Sequence, residues 1–92
     1  MNDLKNNDEK FLSFKIIQSG EIKRISLNEA NLRRRFNEIY FSILKELKLN
    51  PRDTYLSNEE GRMIGNLDLN LSLVDVVKKF GNKLKIYYEK IF

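Results

Sequence analysis

Neither cysteine nor histidine occurs among the 92 residues. Their absence excludes disulfides, a thiolate nucleophile and the usual zinc ligand sets, all of which draw on those two side chains. It also fits a cytoplasmic setting, which is the expected localisation. Long apolar runs are missing as well. No stretch approaches the roughly 18 apolar residues of a membrane span, and the opening MNDLKNNDEK has no apolar core of the kind a leader needs. A soluble protein without a membrane span is therefore expected. Phosphate-cradling loops are lacking, because Gly61 and Gly65 have neither the spacing nor the following Lys-Ser/Thr. Asp68, Asp75 and the scattered asparagines do not compose a calcium loop. Asp53, Glu59 and Glu60 fall in or beside a predicted turn, where acids are ordinarily just solvated. These absences leave no catalytic group to nominate, so the expectation is a non-enzyme with no metal and no cofactor.

What is present suits one small domain. A hydrophobic share of 41% with 11% aromatics is enough for a compact core. The formal charge is +4. Residues 1–10 hold two lysines against three acids, while the remainder holds 15 basic and 10 acidic residues. That mild excess favours acidic partners without forming the dense basic stripe of a dedicated nucleic-acid binder.

Residues 1–10 are rich in Asn, Asp and Lys with a single Leu, and read as a flexible tail preceding a domain over 11–92. From Phe11 the pattern has period two. Leu12, Phe14 and Ile16 face one way, Phe11, Ser13, Lys15 and Ile17 the other, as in a half-buried strand. Gln18-Ser19-Gly20-Glu21 makes a turn, with Gly20 free to take positive φ. Ile22–Leu27 returns as the second strand of a hairpin. Asn31–Asn50, NLRRRFNEIYFSILKELKLN, then reads as one long helix with Asn28 and Asn31 as competing N-caps. Leu32, Phe36, Ile39, Tyr40, Ile43 and Leu47 form a stripe about 100° wide. Phe41 projects about 140° away from its centre. Pro51 is expected to end the helix. Beyond it come a brief strand over Asp53–Ser57, a stub strand at Arg62-Met63-Ile64 and an extended crossover over Leu67–Leu71. A short helix follows, capped by Ser72 and closed at Gly81, and a last alternating strand spans Lys83–Ile91.

Hairpin, long helix, short strands, short helix and final strand is an α+β order, not an alternating one. The helix must cover one face of a mixed four- to five-stranded sheet, since no second helix of equal length can meet its stripe. The first and last strands are the most apolar and are expected to be central, adjacent and parallel. That arrangement is a β-grasp.

The segment LSLVDVVKKFGNKLKIYY, Leu71–Tyr88, resembles the ubiquitin-like stretch in which a short capped turn of the form T-L-x-D leads into the last strand. The turn ending Ser19-Gly20 and the proline after the helix are similar too, and the resemblance covers Phe11–Tyr88. It implies a ubiquitin-like (β-grasp) domain. Conjugated ubiquitins and sulfur-carrier relatives end in Gly-Gly, whose carboxylate is adenylated. This sequence has no Gly-Gly, so a non-conjugating recognition module or accessory subunit is expected in preference to a protein modifier or sulfur carrier.

Two surfaces are candidates for recognition. On the assigned alternation Lys15, Ile17, Ile22, Lys85 and Tyr87 lie on the sheet face away from the helix, a face that ubiquitin-like domains commonly use for protein partners. Scattered exposed apolar residues are also normal on sheets, so contiguity decides the matter. Arg33, Arg34 and Arg35 form the densest charge cluster, a candidate contact for nucleic acid or another polyanion. Against that, they fan about 100° apart on a helix, near an N-terminus whose dipole disfavours cations, and Arg35 has Glu38 within pairing range. Phe41 either packs under the Asn50–Ser57 segment or marks a second contact or a dimer, so a monomer and a weak dimer both remain open.

Overall fold

The computed structural model describes residues 10–89. β1 spans Phe11–Ile16 and β2 spans Ile22–Ser26, antiparallel across a turn in which Gly20 takes φ +76°. A helical turn, α1 (Glu29–Leu32), precedes α2 (Phe36–Glu46), β3 (Thr54–Asn58), α3 (Leu73–Phe80) and β4 (Lys83–Tyr88). The sheet has the order β2-β1-β4-β3, with β1 and β4 parallel at its centre and β3 antiparallel to β4. The molecule is α+β, with a four-stranded mixed sheet and helices. A single bridge from Ser57 to Met63 lays the expected stub beside β3. Of the predicted tail, residues 1–9 lie outside the described residues. The carbonyl of Lys10 accepts the Leu27 N–H at 2.8 Å, continuing the hairpin ladder. The end of the predicted last strand, beyond Glu89, lies outside them too.

The inward sheet face buries Leu12, Phe14, Ile16, Leu56, Leu84 and Ile86. Against it α2 packs Phe36, Ile39, Tyr40, Ile43 and Leu44, and α3 adds Leu73, Val76 and Phe80. Phe14, Phe36 and Tyr40 stack mutually with centroids 6.1–6.4 Å apart, within the range where aromatic pairs add to area burial. Burial pushes the Tyr40 phenol above its ordinary range, offset in part by the hydroxyl pair with Thr54 at 3.0 Å.

The helical region departs from the sequence expectation in four places. The single helix over Asn31–Asn50 is two helices. Asn28, not Asn31, caps α1 by accepting the Asn31 N–H at 2.8 Å. The chain then leaves helical geometry through Arg33–Arg35, with Arg35 extended at φ −71°, ψ 137°. The cause is a backbone exchange with the α3 cap: Leu73 N–H donates to Arg34 C=O at 2.8 Å, and Phe36 N–H donates to Leu71 C=O at 2.9 Å. Those groups would otherwise serve a continuous helix. The same exchange brings the starts of α2 and α3 together.

At the other end, α2 stops at Glu46, before Pro51 can act. Lys48 takes φ +60°, and the N–H groups of Lys48 and Leu49 donate to Lys45 and Leu44 carbonyls at 3.1 and 2.9 Å, a Schellman closure on a non-glycine residue. Leu44 is buried at 1% exposure, although the expected stripe omitted it, and Leu47 packs at the core's edge. The expected extended crossover over Leu67–Leu71 contains a 3-10 turn at Asp68–Asn70. Its shape follows from Asp68, whose carboxylate accepts the Gly65 N–H at 3.1 Å and the Lys79 ammonium at 2.7 Å. Ser72 caps α3 as expected, accepting the Asp75 N–H at 3.3 Å. Gly81 closes it with φ +93° and ψ −174°, a positive φ outside the left-handed helical well.

Candidate functional site

Alternation along four strands sends one set of side chains away from the helices. Strand register assembles that set into rows. Ile22, Lys15, Lys85 and Ser57 are successive cross-strand partners, and the bridge to Met63 extends the row beyond β3. A second row runs Arg24, Ser13, Lys83. In a third, Tyr87 faces Tyr55. Ile17 lies one residue past β1, its N–H donating to the Ile86 carbonyl at 3.0 Å, which brings it alongside Tyr87. The Gln18 side-chain amide also bonds the Tyr88 backbone, donating to its carbonyl and accepting its N–H, and so pins the hairpin turn to the end of β4.

Four of the five sequence-predicted face residues, Lys15, Ile22, Lys85 and Tyr87, share one side of the sheet by strand register, with Ile17 following in the turn after β1, and Lys15 is the direct neighbour of both Ile22 and Lys85. Ile17 and Ile22 are 38% and 49% exposed. The same face carries residues not nominated from the sequence: Arg24, Lys83, Tyr55 and Met63, the last two 45% and 56% exposed. Arg24 was legible in principle, being two residues from Ile22 on an alternating strand. Tyr55 and Met63 were not, because their position depends on which strand β3 joins and in what register.

Between these rows lies a shallow depression of about 230 Å³, edged by Lys15, Arg24, Lys83, Lys85 and Ile22, with Glu59 at its rim. Lys15, Arg24 and Lys85 make no ion pair with a described residue. Lys23, on the opposite face of β2, shows the contrast. Its ammonium meets Glu46 at 2.9 Å and Glu21 at 3.2 Å, and those bonds, Glu46 first, hold it above the usual lysine range. Ser57 is buried at 1% on this outward side, and its hydroxyl has no partner among the described residues.

The arginine cluster sits elsewhere. Arg33, Arg34 and Arg35 are exposed at the kink between α1 and α2, next to the cap of α3. They do not fan along one helix, because there is none at that point. Arg33 pairs with Glu29 at 3.1 Å. The anticipated pair of Arg35 with Glu38 does not form; only their backbones meet, at 3.2 Å. Phe41 is 43% exposed beside the 51–56 stretch. Its ring tilts against Tyr40 at 5.7 Å and lines a groove of about 300 Å³ with Pro51, Tyr55 and Met63.

Among the described residues no cluster of three or more acidic side chains could hold a metal ion, and no helix is long and apolar enough to cross a membrane. No model of a known protein family matches the chain, and no curated protein matches it.

Proposed function

We propose that the chain is a non-enzymatic ubiquitin-like module of β-grasp type that binds another protein through the outward face of its sheet. Support for the β-grasp assignment comes from the topology: a leading hairpin, a helix packed into the core on one sheet face, and first and last strands parallel at the centre. The observation that carries the function is the open sheet face. The two longer helices send their buried side chains into the core on the inward side. On the other, Ile22 borders the cationic depression, and Tyr55 and Met63 stay exposed toward the β3 edge. A face that is neither covered nor purely polar fits an interface with an apolar part and a charged part.

The polyanion reading has weaker support. Arg33–Arg35 belong to the helical layer, and Lys15, Lys83 and Lys85 point away from it, so the two clusters form no continuous track for a phosphate backbone. Quantitative pulldown tests the proposal. Ile17→Asp and Tyr87→Ala are expected to abolish capture of the proteins that the native chain retains, with spectra showing an intact fold. Recovery of the same proteins by both variants would overturn it.

A further inference from the structure

We infer that the basic depression on the outward face binds carboxylates, and that its occupant is an acidic stretch of polypeptide with aspartates or glutamates beside an aliphatic residue. The inference rests on the protein-binding reading above and names the chemistry of the partner. Lys15 and Lys85 are direct partners across the central parallel pair, and Ser13 lies between Arg24 and Lys83 in the next row. Like charges facing each other across a sheet destabilise it. Here they face each other at the centre of the sheet, where neighbouring strands are only about 4.8 Å apart. Lys15, Arg24 and Lys85 make no ion pair with a described residue, and Glu59 is the single acid among the residues that line the depression. An incoming carboxylate would convert this repulsion into attraction. It would meet donors already fixed on strands, so little ordering is required of the protein.

Size and surroundings narrow the class. At about 230 Å³ the depression is smaller than the roughly 300–1,000 Å³ typical of small-molecule and cofactor pockets, and it is open, so it suits side-chain carboxylates reaching down from a bound chain. Ile22 borders it on one side, and Ile17, Tyr87 and Tyr55 lie along the same face. Apolar partner residues next to the acids would therefore find contacts. A phosphodiester backbone needs a track of cations, and the apolar residues interrupt one here.

The test is a titration of the isotope-labelled full chain, followed by backbone amide shifts at low salt. The probes are a short oligoglutamate, a peptide alternating glutamate with isoleucine, and an oligouridylate. The alternating peptide is expected to move the amides of Ser13, Lys15, Ile22, Arg24 and Lys85 saturably, and more tightly than oligoglutamate. Lys15→Glu or Lys85→Glu should weaken its binding by roughly tenfold. Lys15→Gln and Lys85→Gln should give intermediate losses with unchanged spectral dispersion, which separates recognition from folding. If neither acidic peptide moves these amides, or if oligouridylate moves them more tightly, the inference is overturned. Loss of protein capture by Ile17→Asp alongside a failed peptide titration would leave the sheet-face reading standing and reject only the acidic partner.

Discussion

Lys85→Glu should stabilise the fold while weakening its binding to an acidic peptide roughly tenfold, a combination few substitutions offer. In the native chain Lys85 lies directly across from Lys15 on one side and Ser57 on the other. Facing Cβ atoms on neighbouring strands stand about 5 Å apart, and two unit charges brought to that separation in a water-like medium interact by about 0.8 kcal/mol, the upper figure for ammoniums on long stems. Reversing one charge replaces repulsion by attraction, a swing of up to about 1.6 kcal/mol. Physiological salt, with a Debye length of about 8 Å, reduces this to about 0.5–1 kcal/mol. For a domain of this length such a gain raises the melting temperature by about 2–8 °C. Thermal and urea unfolding of both proteins at low, physiological and molar salt would read it. The gain should be largest at low salt and nearly vanish at about 1 M, where the Debye length is about 3 Å. Lys15→Glu combined with Lys85→Glu restores a like-charge pair and should forfeit it. Destabilisation by Lys85→Glu at every salt concentration would refute the reasoning, because it would mean that the lysine stem contributes through packing.

Three further outcomes follow from the core, the cap and the acid limb. Phe36→Ala removes a fully buried ring stacked on Phe14 and Tyr40 and should cost about 3–5 kcal/mol, comparable to the whole stability of a small domain, so the variant should be largely unfolded by circular dichroism. Ser72→Ala removes the acceptor for the Asp75 N–H and should lower stability by about 0.5–2 kcal/mol in urea, and an unchanged midpoint would argue against the cap. Asp68 is held below the usual carboxylate range by the Lys79 ammonium first and the Gly65 N–H second. Its contribution is therefore present above pH ~4 and lost as pH falls through the lowered value, so Asp68→Asn should flatten the acid limb of a stability profile. Superimposable limbs would contradict this.

The strands were legible because a two-residue period needs only local sequence, and Leu12, Phe14 and Ile16 display it as clearly as Leu84 and Ile86. Their apolarity also pointed to the parallel central pair. The Ser72 cap was legible for the same local reason. The kink at Arg33–Arg35 was not, since no glycine or proline marks it and its cause is a hydrogen-bond exchange with residues almost forty positions away. Nor was the early end of α2, which uses positive φ at a lysine where a glycine would have announced it. The turn at Asp68–Asn70 hid behind alternating leucines, because the side-chain bonds of Asp68 override that pattern. On the candidate face Lys15, Ile22, Lys85 and Tyr87 followed from alternation along β1, β2 and β4, although Arg24 and Lys83 on the same strands were not nominated. Tyr55 and Met63 required knowledge of the β3–β4 register, which only the assembled sheet supplies.

The central claim is that recognition lives on the outward sheet face and not on the helical layer. Quantitative mass spectrometry of proteins captured by the native chain, by Ile17→Asp, by Tyr87→Ala and by an Arg33/Arg34/Arg35→Ala triple variant tests it most directly. The account predicts that both sheet variants lose the partners that the triple variant retains. Partners lost by the triple variant and kept by Ile17→Asp and Tyr87→Ala would contradict it.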